Sequence, residues 1–214
     1  MLDENTGHDL NMTEVYPQKK KVNIGLIIAL CLLGGMVFIG VVSAVILSSL
    51  GSIIDEARLN SGQVEPDKLF KSFDGKYSIR ATDYWKYADK STDNEASLAI
   101  KSRNGKRYLT VIESSKSELP VLSLDQYASL VINGLKQNGV EVDDSGITDS
   151  HANGYTSRQF EFTNDIDDLK IRYLGITIDT PQKFYWLSFW TEDKEFDTYR
   201  QEFINISSTF ELVE

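Results

Sequence analysis

The chain has 214 residues, with 22 Lys and Arg against 32 Asp and Glu, a formal net charge of −10, two histidines and one cysteine. An acidic balance of this size has no electrostatic footprint for nucleic acid; it favours solubility instead. One cysteine excludes a disulfide framework, and so few His and Cys leave too few ligands for a zinc site.

Residues 1–22 are polar, lack periodicity and end in Lys19-Lys20-Lys21. They are expected to be a disordered cytoplasmic tail. Residues 23–50 follow as a transmembrane signal anchor. Its core, 24–50, is 27 residues without a charge. At helical rise that is about 40 Å, more than the roughly 30 Å hydrocarbon core of a bilayer. Every face of such a helix is apolar or small, whereas a helix buried in a soluble core keeps a polar side. Basic residues stay cytoplasmic, so the three lysines put the N-terminus inside and the rest outside. The apolar run is much too long for a cleaved signal peptide. Cys31 follows Leu30, where a lipobox needs a small residue, so lipidation is not expected. Gly40, Ala44 and Ser48 recur every four residues on one face and can bring two spans together as a homodimer. With Cys31 inside the span, the outer part has no disulfide. This suits a bacterial surface protein whose core needs no staples.

Residues 51–71 read as a juxtamembrane linker, broken by Asn60-Ser61-Gly62 and Pro66. Residues 72–214 read as one extracytoplasmic domain, with the first apolar run near Leu69. Phe73-Asp74-Gly75-Lys76-Tyr77 signals a hairpin, and Arg103-Asn104-Gly105-Lys106 signals another between strands at 96–100 and 108–114. Then the period changes. Ser123-Leu124-Asp125-Gln126 is a capping box, and Tyr127, Ala128, Val131, Ile132 and Leu135 form a helical face that Asn138-Gly139 closes. Strands return at 154–163, 170–179 and 184–190. The last places Phe184, Trp186, Ser188 and Trp190 on one face and Tyr185, Leu187 and Phe189 on the other. A second helix, capped by Thr191, buries Phe196, Tyr199, Phe203, Ile204 and Ile206, and Phe210-Glu211-Leu212 folds back. The order predicts an α+β domain, an antiparallel sheet with helices packed on it.

Several of these segments together resemble a known family. They are Tyr77-Ser78-Ile79 leading to Tyr84-Trp85, the capped helix at Ser123-Leu124-Asp125-Gln126-Tyr127, the aromatic strands through Phe160-Glu161-Phe162 and Phe184-Tyr185-Trp186-Leu187-Ser188-Phe189, and the close at Ser207-Ser208-Thr209-Phe210. The pattern resembles the PsbP-like superfamily, which includes PsbP-related bacterial membrane proteins and the DcrB lipoproteins, over residues 69–214. The resemblance implies an α/β/α sandwich without catalytic activity that assembles or stabilises larger complexes. No functional residue transfers by motif, and photosynthetic function does not follow from the fold. Members usually carry a Pro shortly before the Trp. Here that place is Thr82 or Asp83, so the opening turn is expected to differ.

Chemistry is sparse. His151 lies in a polar stretch, Asp149-Ser150-His151-Ala152-Asn153-Gly154, that reads as a solvated loop, and there is no G-x-S-x-G elbow, P-loop or dinucleotide fingerprint. Asn164-Asp165-Ile166-Asp167-Asp168 and Glu141-Val142-Asp143-Asp144 are oxygen-rich but lack EF-hand spacing and read as solvated turns. No catalytic residue, cofactor or metal is expected. The aromatics Tyr84, Trp85, Trp186 and Trp190 are the candidate partner or ligand surface, although core packing competes for each. The expectation is a non-enzymatic, single-pass membrane protein whose outer domain binds or stabilises an envelope or membrane partner. The alternatives are a small-ligand or stress sensor relaying through a dimerising span, and a hydrolase with an unrecognised site.

Overall fold

A computed structural model describes residues 67–88, 96–119, 121–143, 146–166 and 168–213. The expected tail and span, with the face of Gly40, Ala44 and Ser48, lie outside the described residues. Among the described residues, no helix is long and apolar enough to cross a membrane.

In chain order the elements are β1 (Lys68–Lys71), β2 (Tyr77–Ala81), β3 (Trp85–Tyr87), β4 (Leu98–Ser102), β5 (Tyr108–Ser115), α1 (Leu124–Gln137), β6 (Glu141–Val142), β7 (Thr148–Ala152), β8 (Tyr155–Ile166), β9 (Leu169–Asp179), β10 (Lys183–Glu192), α2 (Asp193–Ser207) and β11 (Glu211–Leu212). The larger sheet has eight strands in the order β3-β4-β5-β10-β9-β8-β6, with β7 also paired to β8. A smaller sheet runs β1-β2-β11. The pairings are antiparallel; short hairpin turns join β4 to β5, β7 to β8 and β9 to β10, while β5–β10, β6–β8 and β2–β11 pair across longer connections.

β9 and β10 are central because both of their faces are apolar. Tyr185, Leu187 and Phe189 point to one side, where they meet Phe196, Tyr199, Phe203 and Ile206 of α2 and Phe70, Tyr77 and Ile79 of the small sheet. Phe184 and Trp186 point to the other, where Leu124, Tyr127, Val131 and Leu135 of α1 cover them. The result is three layers: α1, the large sheet, then α2 beside the small sheet. This is the α+β architecture expected from the sequence.

Local signals account for most boundaries. The Ser123 hydroxyl accepts the Gln126 N–H at 3.3 Å and the Gln126 side chain accepts the Ser123 N–H at 2.8 Å, completing the capping box. Asn153 and Gly154 both take positive φ, +49° and +84°, as a tight two-residue hairpin turn demands. Gly175 has a different reason for being glycine. A Cβ there would stand 2.7 Å from the Phe160 ring, its cross-strand neighbour.

Four expectations change. Lys68–Lys71, placed in the linker by composition, is strand β1, because Phe70 buries its ring beneath the small sheet. The polar stretch around His151 is strand β7, held by pairing with β8 rather than by its own propensity. Asn164, Asp165 and Ile166 belong to β8, paired with Ile171, Lys170 and Leu169 of β9. Thr191 is the buried penultimate residue of β10; the N-cap of α2 is Glu192, with no side-chain cap bond. Where members of the resembled family usually carry a proline, Thr82 is buried and its carbonyl accepts the Trp85 N–H at 3.1 Å.

Candidate functional site

Arg107 precedes β5, and its N–H is fixed by the Ser102 hydroxyl at 3.0 Å across the β4–β5 turn. Its side chain is fully buried and crosses to α2, where Nη1 donates to Glu202 Oε2 at 2.6 Å. Trp85 Nε1 donates to the other carboxylate oxygen at 2.8 Å. The rings of Tyr199, Tyr84 and Trp85 surround the guanidinium, with centroids 4.2, 4.9 and 5.9 Å from Cζ. These rings offset part of the cost of burying a cation. Nε and Nη2 are buried with no hydrogen-bond partner among the described residues. The arrangement ties α2 to β3 and the β4–β5 end of the sheet. Its cation is wholly enclosed, while water reaches the Glu202 carboxylate.

On the opposite sheet face, rings form a file across four strands. Phe162 stacks on Tyr173 at 4.5 Å, Tyr173 meets Trp190 at 5.8 Å, and Trp190 stacks on Tyr108 at 5.1 Å. Each pair is in direct register, so the file follows from strand alignment. Trp186, four residues before Trp190 on the same strand face, lies in the α1 cluster.

The four aromatics chosen from sequence therefore do not make one surface. Tyr84 and Trp85 meet at Arg107 on the α2 side; Trp186 and Trp190 are on the α1 side. The three tryptophans are internal, at 0, 8 and 9% exposure, and Tyr84 is half-buried. His151 is exposed on β7 opposite Thr156. Among the described residues, no group of three or more His, Cys, Asp or Glu is arranged to hold a metal ion.

What the sequence reading missed is a cleft of about 570 Å³ between the outer face of the small sheet and the β7–β8 turn. Leu69, Lys71, Ser78, Arg80, Glu211, Leu212 and Val213 line it from the sheet, and Asn153 and Tyr155 from the turn. Register explains the convergence. Lys71 stands opposite Ser78, and Ser78 opposite Glu211, in one row; Leu69 stands opposite Arg80 in the next. Among the described residues, the Arg80 guanidinium reaches only the Asp67 carbonyl, at 3.4 Å. Neither Lys71 nor Arg80 forms an ion pair among the described residues. The signal for this site was the outward alternation of Ser78 and Arg80 along β2. Its third wall, Glu211, is more than 130 residues further along the chain.

No protein-family model matches the sequence, and no curated protein is similar to it at a significant level. Solved structures do match. Cyanobacterial PsbP (CyanoP) from Synechocystis sp. PCC 6803 aligns with TM-score 0.51 and 15% identity, covering 78% of this chain and 99% of its own. A protein from Bacteroides thetaiotaomicron aligns with TM-score 0.50 and 12% identity, covering 70% of this chain and 49% of its own. LpqN, involved in cell envelope biogenesis of Mycobacterium tuberculosis, aligns with TM-score 0.49 and 13% identity, over 69% of this chain and 90% of its own. At these identities the likeness is one of fold, and the fold is PsbP-like.

Proposed function

We propose that this chain is a single-pass membrane protein that presents a non-enzymatic PsbP-like domain outside the cell, where the domain binds or stabilises an envelope or membrane partner. The observation that carries the reading is the junction of two parts. An uncharged stretch at 24–50, preceded by three lysines, leads into a domain with the PsbP-like fold. The commitment of charged groups to packing supports the non-enzymatic part. Arg107 is paired to Glu202, Lys183 to Glu113 and Arg200 to Glu161, and each pair joins two elements of the domain.

Affinity purification from gently solubilised membranes tests the reading, using the full chain beside one whose span is replaced by an unrelated apolar helix. One membrane or envelope protein recovered with both chains supports it and assigns recognition to the outer domain. Recovery only with the native span moves recognition to the face of Gly40, Ala44 and Ser48 and favours the sensor. A hydrolytic activity abolished by His151→Ala overturns the non-enzymatic reading.

A further inference from the structure

We propose that the cleft on the small sheet binds a phosphate ester, with Lys71 and Arg80 holding the phosphate and Glu211 accepting a hydrogen bond from a hydroxyl or ammonium on the same ligand. The register places the two cations on one face of adjacent strands, diagonal to each other. Diagonal Cβ atoms on such a pair are about 7–8 Å apart. From that separation a lysine point charge and an arginine fork can close on one phosphate from two sides. Both side chains are exposed and, among the described residues, lack a carboxylate partner within a protein of net charge −10.

Glu211 stands in the Lys71 row with Ser78 between them. Two strand spacings put their backbones roughly 9–10 Å apart, and among the described residues Lys71 and Glu211 form no ion pair. The gap leaves room for a small polar group between phosphate and carboxylate. Ser78, Asn153 and Tyr155 add neutral hydrogen-bonding groups, while Leu69 and Val213, each 40% exposed, supply an apolar rim. The volume lies within the range of roughly 300–1,000 Å³ usual for small-molecule sites. Two exposed cations beside one carboxylate and an apolar rim make the cleft complementary to a polar phospholipid head group.

The membrane as the source of that head group rests on the anchoring proposed above. β1, which forms one wall, begins at Lys68, directly after the stretch from the expected span. Residues 51–66 extend at most about 55 Å, so the cleft stays within reach of the bilayer surface.

The test uses full-length protein in a nonionic detergent, titrated calorimetrically with dihexanoyl phosphatidylethanolamine, dihexanoyl phosphatidylglycerol, glycerol phosphate and inorganic phosphate. Both lipids should bind saturably, and Lys71→Gln or Arg80→Gln should weaken them by about tenfold or more. Lys136→Gln, on α1, should change nothing. Glu211→Gln should weaken the lipids and glycerol phosphate but not inorganic phosphate. Glycerol phosphate binding as tightly as the lipids supports the site and makes a soluble ester its source. No saturable heat with any probe, or heat unchanged in the Lys71→Gln/Arg80→Gln double variant, overturns the site. Alkaline extraction of membranes tests the anchor separately, so failure of one reading is not failure of the other.

Discussion

Glu202 on α2 and Arg107 before β5 form an ion pair whose cation is wholly enclosed and whose carboxylate is 16% exposed. The Trp85 indole occupies the second carboxylate oxygen. Removing Glu202 strands a buried guanidinium, so Glu202→Ala should destabilise the domain by about 3 kcal/mol, the low end of the usual range because water reaches the carboxylate side. Urea unfolding followed by tryptophan emission measures this. The double variant Arg107→Met/Glu202→Leu should recover much of the loss, since it removes the stranded charge; a loss as large as in the single variant would refute the account.

Gly175 is held to glycine by Phe160. A methyl group there would press into a ring that is itself confined, at 2% exposure, within the α1 cluster. Gly175→Ala should cost about 1–3 kcal/mol, the usual range for overpacking a core. In Gly175→Ala/Phe160→Leu the two costs should not add, because the smaller side chain gives way. Strict additivity of the unfolding free energies would show that the strain lies elsewhere.

Tyr87 closes the free edge of β1. Its hydroxyl accepts the Lys71 N–H at 2.8 Å and donates to the Lys71 carbonyl at 3.2 Å, satisfying both outward backbone groups from β3. Tyr87→Phe should cost only about 1 kcal/mol overall. Its local signature should be larger: amide exchange at Lys71 should accelerate while that of central β10 stays unchanged. Equal effects at both would mean a global loss rather than an opened edge.

The Tyr77 phenol is enclosed between the small sheet and the core. Burial pushes its pKa well above the ordinary 10.0, against an opposing hydrogen bond to Ser97 and with a further push from nearby Glu113. A raised folded pKa means that this stabilisation is complete below the unfolded value, near 10, and is lost as pH rises from there toward the folded value. Stability should therefore fall above about pH 10. Tyr77→Phe should flatten that fall, at a cost of about 1 kcal/mol at neutral pH for the lost Ser97 bond. Phenolate absorbance near pH 10 that is present in the native wild-type protein and missing from Tyr77→Phe would contradict the burial.

The parts legible in the sequence are those governed by neighbours in the chain. The capping box at Ser123 and Gln126, the Asp74-Gly75 and Asn104-Gly105 turns and the two-faced alternation of Phe184 to Trp190 depend on spacings of a few residues. Each is found where that spacing puts it. Strands β1 and β7 were not legible. Lys68–Lys71 and Thr148–Ala152 are short and polar, and they are strands because β2 and β8 offer them a pairing edge.

Local periodicity alone placed the two helices, the strands β4, β5, β8, β9 and β10 with the alternation that buries both faces of the last two, and the uncharged 24–50 stretch, because helical and strand periods are set by near neighbours in the chain. Which aromatics are internal is set by packing between distant elements. A tryptophan serves core and surface equally well, and its layer depends on what packs over it: α2 and Glu202 for Trp85, α1 for Trp186. The same holds for the cleft. Lys71, Arg80, Asn153 and Glu211 are distant in the chain and become one site only through the pairing of β1, β2 and β11 beside the β7–β8 turn. Hydrogen-bond register carries that information, and no local window of sequence contains it.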